Sequence, residues 1–260
     1  FKFPPPDGFQ PLNTANARPV KVISRPDQYV GVTTFTGNGG TQSIDVGHEP
    51  DLLWFKNRDD TSQGAHRLFD TVRGSNKTLY PSFDLVEAEI ANSLNSFNYN
   101  GFTVGSGNWV NGTDDGMVAW SWKAGGSKNT FNVDGVGYAS AAAAGLTGGT
   151  ITPSGASVGT KQGFSIIQWR GVDNASPSTI SHGLTNQTPR FIIVKNLTDA
   201  ENWAVYHASV GATKYGRLNS NATYDTSSAY WNDTAPTTTL ITLNNSAEVQ
   251  RVSRDYVLYA

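Results

Sequence analysis

The apolar residues of this chain mostly alternate with polar ones, the pattern of strands with one buried face. "YVGVTTFTG" (29–37) and "GFSIIQWRG" (163–171) are such segments, each ended by a glycine turn. Two stretches break the rule. Residues 50–57 read "PDLLWFKN" and residues 189–196 read "PRFIIVKN": Pro, one variable position, four apolar residues, then Lys-Asn. A strand apolar on both faces needs cover on both. Each phrase is therefore expected to be a central strand, its outer face under a loop, a helix, or a neighbouring repeat or subunit. In "MVAWSW" (117–122), Val118, Trp120 and Trp122 share one face and Ala119 and Ser121 the other. The large face is expected in the core, and strand parity gives the same reading for Trp54 and Trp169. Helical periodicity is weak, and the best short helix candidate is "DLVEAEIANSL" (84–94).

The doubled phrase belongs to a longer internal repeat. Phe35 falls on Trp169, Gly37 on Gly171 and His48 on His182. Phe69, Gly74 and Lys77 fall on Tyr206, Gly211 and Lys214, and Val110 falls on Val249. Met117-Val118-Ala119-Trp120 falls on Tyr256-Val257-Leu258-Tyr259. The expected plan is a Pro-rich lead-in from a preceding domain (1–27), a first repeat (28–124), a connector (125–162) and a second repeat (163–260). The connector is rich in small residues, with short strands expected near 130–133 and 148–152. Many short strands between Gly/Asn/Asp turns predict an all-β fold of two tandem antiparallel β-sandwiches of jelly-roll or concanavalin-like type. Repeat two stops before the position matching Trp122, so either the chain is cut there or a partner completes that edge.

Composition narrows the function classes. Charged residues are only 15% and the net charge is −2, which gives no global field for nucleic acid or an anionic membrane. No apolar run is long enough to span a bilayer. The chain has no cysteine, which excludes disulfides, thiol catalysis and cysteine-held metal. Glu87 and Glu89, at i and i+2 on a strand, have the separation a retaining glycosidase needs, but "EAEIAN" lacks the Glu-x-Asp-x-x-Glu pattern of the β-sandwich glucanases. No two histidines have metal-ligand spacing, and His48 and His182 read as a duplicated structural position. The acidic turns "NRDDTS" (57–62) and "NGTDDG" (111–116) read as hairpin turns in preference to Ca²⁺ loops. No catalytic residue, metal or cofactor is predicted. Glycan binding asks only for exposed aromatic faces beside polar groups. The residues chosen for it are Trp109, Asn111, Trp203, Tyr230 and Trp231.

The phrases "VGHEPDLLWFKNRD", "HRLFDTVRGSNKTL", "NGFTVGSG" and "MVAWSWKAGG" resemble a group of tailed-phage virion proteins common among marine phages. So do "PRFIIVKN", "WAVYHASVGATKY" and the connector text "FNVDGVGYASAAAAGL". In that group such a lead-in often follows a SPRY-like, concanavalin-like sandwich. The resemblance implies no catalytic residues. It implies a structural protein at the virion surface — tail fibre, head fibre or capsid decoration — that packs with its own copies and other virion proteins. Host-surface glycan is the expected external ligand. The competing expectations are a glycan-degrading depolymerase and a secreted non-viral lectin or filament subunit.

Overall fold

The computed structural model describes residues 23, 25–59, 65–172 and 177–260. The lead-in expected at 1–27 therefore lies almost wholly outside the described residues. The protein is nearly all β, with 39% strand and 5% helix, and folds as tandem antiparallel sandwiches.

The first repeat runs β1 (Val30–Thr36), β2 (Gln42–Asp45), β3 (Leu52–Asn57), β4 (Arg67–Asp70), β5 (Lys77–Thr78), β6 (Ala88–Glu89), β7 (Leu94–Asn98), β8 (Gly101–Val104), α1 (Asn108–Asn111) and β9 (Gly116–Trp122). One sheet has the order β1-β9-β3-β4 and is prolonged to β5 and β6 by a Leu68–Leu79 bridge. The other is β2-β8-β7. Three connector strands follow: β10 (Phe131–Val133), β11 (Val136–Tyr138) and β12 (Gly155–Gly159). The second repeat has β13 (Phe164–Arg170), β14 (Ser178–Ser181), β15 (Phe191–Asn196), β16 (Ala204–His207), β17 (Lys214–Arg217), β18 (Asp225–Thr226), α2 (Ser228–Trp231), β19 (Leu240–Leu243) and β20 (Asp255–Tyr259). Its order, β13-β20-β15-β16-β17-β18 with β14-β19 apart, repeats that of the first. The connector strands add β11-β10-β12 to its β13 edge.

Pairing registers reproduce the internal alignment residue by residue. Phe35 faces Met117 as Trp169 faces Tyr256, Trp54 faces Trp120 as Ile193 faces Tyr259, and Leu53 faces Phe69 as Ile192 faces Tyr206. The Lys-Asn of the doubled phrase has the same task twice. Asn57 Nδ2 donates to Asn108 O at 3.1 Å, and Asn196 Nδ2 donates to Ala247 O at 3.0 Å, the matching carbonyl. Gly37 and Gly171 are also equivalent in cause. A Cβ on Gly37 would lie 2.1 Å from Gly112 O, and one on Gly171 would lie 1.8 Å from Arg251 O, so only glycine lets the turn close.

Both doubled phrases are buried on the inward face and covered over part of the outward one, where Phe191 is exposed and Trp54 half-buried. Inward, Leu53 and Phe55 join the first sandwich core, and Ile192 and Val194 join the second. Outward, Leu52 and Ile193 meet in a third apolar cluster, between the repeats, with Leu68, Leu79, Ile166, Trp203, Val257 and Tyr259. The neighbouring repeat is thus the outer cover.

Three sequence expectations are corrected. Segment 84–94 is not helical: only Ala88–Glu89 is regular before β7, Leu85 and Val86 are exposed, and Glu87 is drawn to Arg73 and Lys77. In β9 the small residues face the core and the large ones face outward. The first core is already filled by the edge-to-face rings of Phe35, Phe55, Phe69 and Phe102, which leave room only for Met117, Ala119 and Ser121. After Phe131–Val133 the connector strands are Val136–Tyr138 and Gly155–Gly159, while the strand expected near 148–152 is only an Ile151–Ile180 bridge.

Candidate functional site

The seam between the repeats is reciprocal, but its two ends are not alike. At one end the loop after β5 lies over Trp203. That indole is fully buried, and its Nε1 donates to the carbonyls of Tyr80 and Phe83, each at 3.0 Å. Glu87 N donates to Leu197 O at 3.3 Å, and Lys195 Nζ donates to Asp84 O at 3.2 Å. Beneath them a buried ionic group ties the repeats together. Arg73 Nε is 2.6 Å from Asp70 Oδ2, Arg73 Nη1 is 3.0 Å from Glu87 Oε2, and Tyr259 donates its hydroxyl to Asp70 Oδ2 at 2.7 Å. Breaking one partner of such a pair typically costs about 3–5 kcal/mol.

At the other end, the loop after β17 lies over the equivalent face of the first repeat. The position matching Trp203 is His66, and the ring is too small to close the gap. Trp54, Pro81, Ser82 and His66, with Leu218, Asn219, Ser220 and Asn221 opposite, line a cavity of about 390 Å³. Trp54 Nε1 donates to His66 Nδ1 at 2.7 Å, which places the histidine proton on Nε2. The His66 ring stands edge-to-face to Trp54, with centroids 5.7 Å apart, and is stacked at 24° against Trp120. Burial pushes His66 below its ordinary value of 6.5, and Lys56 pushes the same way. Trp54, Trp120 and Trp122 are partly exposed on this one sheet face. Trp54 also walls a second, larger cavity of about 580 Å³ on its other side.

The five residues expected to bind glycan do not come together. Trp203 is inside the seam. Tyr230 and Trp231 lie in the second core, where Tyr230 stacks on Tyr215 at 3.6 Å and Trp231 packs edge-to-face on Tyr206. Asn111 is fully buried, its amide spent on Asn38, Gly40 and Gly105. A sugar can be held only by groups at the surface, and these four are buried, so they are corrected to structural roles. Trp109 is partly exposed. Its Nε1 donates to Ser93 Oγ at 3.3 Å, and the Arg67 guanidinium covers its ring at 5.5 Å. The residues that do share an open aromatic face, Trp54, Trp120 and His66, were missed. The signal for them was present: on the internal alignment His66 stands where repeat two has Trp203, a large-to-small change at a packed position.

Other candidate groups have structural partners. Glu87 is held between Arg73 and Lys77, while Glu89 is exposed on β6. His48 Nδ1 meets Asp27 O at 3.1 Å, and His182 Nδ1 accepts from Leu184 N at 3.1 Å. Asp114 and its counterpart Ser253 both have φ +63°, a left-handed turn in each repeat. Part of "NRDDTS" lies outside the described residues. Among the described residues no group of three or more His, Asp or Glu could hold a metal ion, and no helix is long and apolar enough to cross a membrane.

No curated protein and no solved structure matches the chain. One family model does, over residues 25–260, from the start of the first repeat to the end of the second. The chain belongs to that family, DUF7483, a domain of unknown function.

Proposed function

We propose that this protein is a structural, adhesive component of a tailed-phage virion, exposed at the particle surface, and that it holds host-surface glycan in the cleft over Trp54 and His66. The observation that carries the adhesive half is the open end of the seam. Three tryptophans share one sheet face, and one of them is pinned by a histidine and bordered by the hydroxyls and amides of Ser82, Asn219, Ser220 and Asn221. Aromatic faces with nearby polar groups are what a pyranose ring recognises. The virion half rests on the resemblance of the repeat phrases to phage surface proteins. Two further features suit it. The seam is built for rigidity, and Val30 and Val32 are exposed on β1, whose outer edge pairs with no strand among the described residues. A bare strand edge suits packing against further copies or other virion proteins.

The test is a titration of oligosaccharides from host polysaccharide, followed by NMR. Saturable binding is expected, weakened about tenfold or more by Trp54→Ala. It is expected to be abolished by His66→Trp, which fills the gap as Trp203 fills its own. Absence of binding at millimolar sugar, or binding that both variants leave intact, overturns the glycan reading.

A further inference from the structure

The larger cavity beside Trp54 has a different chemistry from the smaller one. Leu52, Leu184, Ile193, Trp122, Phe164 and Phe191 line it. Phe191 is 47% exposed, an apolar face that any occupant of the cleft would bury. The polar groups of the lining are mostly committed. Gln162 Nε2 donates to the carbonyls of Lys123 and Ala124, and Gln187 Nε2 donates to Thr160 O. A sugar placed here would bury hydroxyls without partners, and a peptide would bury backbone N–H and C=O groups in the same way. At the rim stands Arg190, the single charged side chain of the lining. It is exposed, and its guanidinium has no carboxylate partner among the described residues.

We propose that this cleft binds a straight-chain carboxylate of the fatty-acid class, its hydrocarbon chain between Trp122 and Phe191 and its carboxylate on Arg190. The volume, about 580 Å³, lies within the range of small-molecule sites. The apolar walls supply affinity in proportion to chain length, and the planar guanidinium fits a carboxylate through two parallel hydrogen bonds. Trp54 walls both cavities, but the two readings are distinguishable, because Ser82, His66 and Asn219–Asn221 line only the smaller cavity and Arg190, Thr188 and Phe191 only the larger.

The experiment is a titration of the full chain with octanoate, decanoate and dodecanoate below their micellar concentrations. Binding is read by tryptophan fluorescence, to which Trp54 and Trp122 report, and by calorimetry. Affinity is expected to rise roughly fourfold for each added CH₂. Arg190→Gln is expected to weaken dodecanoate about tenfold and to leave dodecanol unchanged. Thr188→Trp, at the exposed rim, is expected to block both ligands while thermal stability stays that of the parent. A flat chain-length series overturns the proposal, as does dodecanoate affinity unmoved by Arg190→Gln or by Thr188→Trp.

Discussion

His66 and Trp203 occupy the same place in the two repeats, each one residue before the strand, β4 or β16, that pairs with the doubled phrase, and under the same kind of loop. Trp203 is buried and anchors that loop with two hydrogen bonds from its indole. His66 is partly exposed, bonds sideways to Trp54 and leaves a cavity of about 390 Å³. Trp54 and Trp120 stay partly open, where their counterparts Ile193 and Tyr259 are shut into the seam. The backbone is nearly indifferent to this choice, since the registers around both sites coincide. What differs is side-chain volume at one position and the covering loop: Leu218 to Asn221 is polar after its first residue. A duplicated sandwich can thus devote one copy of a surface to cohesion and leave the other copy for recognition.

Truncating each member of this pair tests the division most severely. Trp203→Ala removes a fully buried indole and orphans the partners of its N–H, so a loss of about 3–5 kcal/mol is expected in urea unfolding. His66→Ala at the matching position removes one partly exposed hydrogen bond and should cost about 1 kcal/mol. Equal losses would mean that the two ends of the seam are energetically alike, and the argument for a recognition surface would go with them.

The glycine pair probes the opposite point, that the scaffold beneath is the same in both repeats. Gly37→Ala and Gly171→Ala each drive a Cβ into a backbone carbonyl of the equivalent turn. Each should destabilise by about 1–3 kcal/mol, the range for overpacking. Similar losses support two equivalent frames, whereas a large loss at one glycine and none at the other would show that the match is only topological.

What the sequence made legible follows from this division. The duplicated phrase, its central place in each sheet and the strand register could be read because they recur twice along the chain, whereas its outward face is covered only in part, with Phe191 exposed. The Lys-Asn ending was visible as a repeat, and its task appeared only with the turn carbonyls of Asn108 and Ala247. Parity correctly divided β9 into two faces but could not say which one looked inward. That depended on phenylalanines contributed by β1, β3, β4 and β8, far away in sequence. The site was missed for the same reason. An aromatic in a loop or a one-turn helix, such as Trp203 or Trp231, looks available until that segment is seen to be packed. Trp54 and Trp120, on strands, look buried until the other repeat is seen to cover only part of their sheet.

The smallest expected effect concerns protonation. His66 accepts the Trp54 N–H through Nδ1, and burial holds its pKa below the ordinary 6.5, so the folded state favours the neutral ring. The sign follows: an unfolded chain takes up this proton first as pH falls below about 6.5, so the stability contributed by neutral His66 is complete above that value and declines as pH drops toward the folded pKa. Once protonated, Nδ1 carries a hydrogen facing the Trp54 N–H, and the indole loses its anchor. Acidification from pH 7 to pH 4 should therefore shift tryptophan fluorescence, and it should weaken glycan binding over the same interval. His66→Gln, which keeps a neutral acceptor, should leave a smaller fluorescence change. Trp203, whose N–H is held by two carbonyls that do not titrate, should keep its own seam closed throughout. A fluorescence transition of equal size in the parent and in His66→Gln would place the pH response elsewhere and remove His66 as the group that sets Trp54 in place.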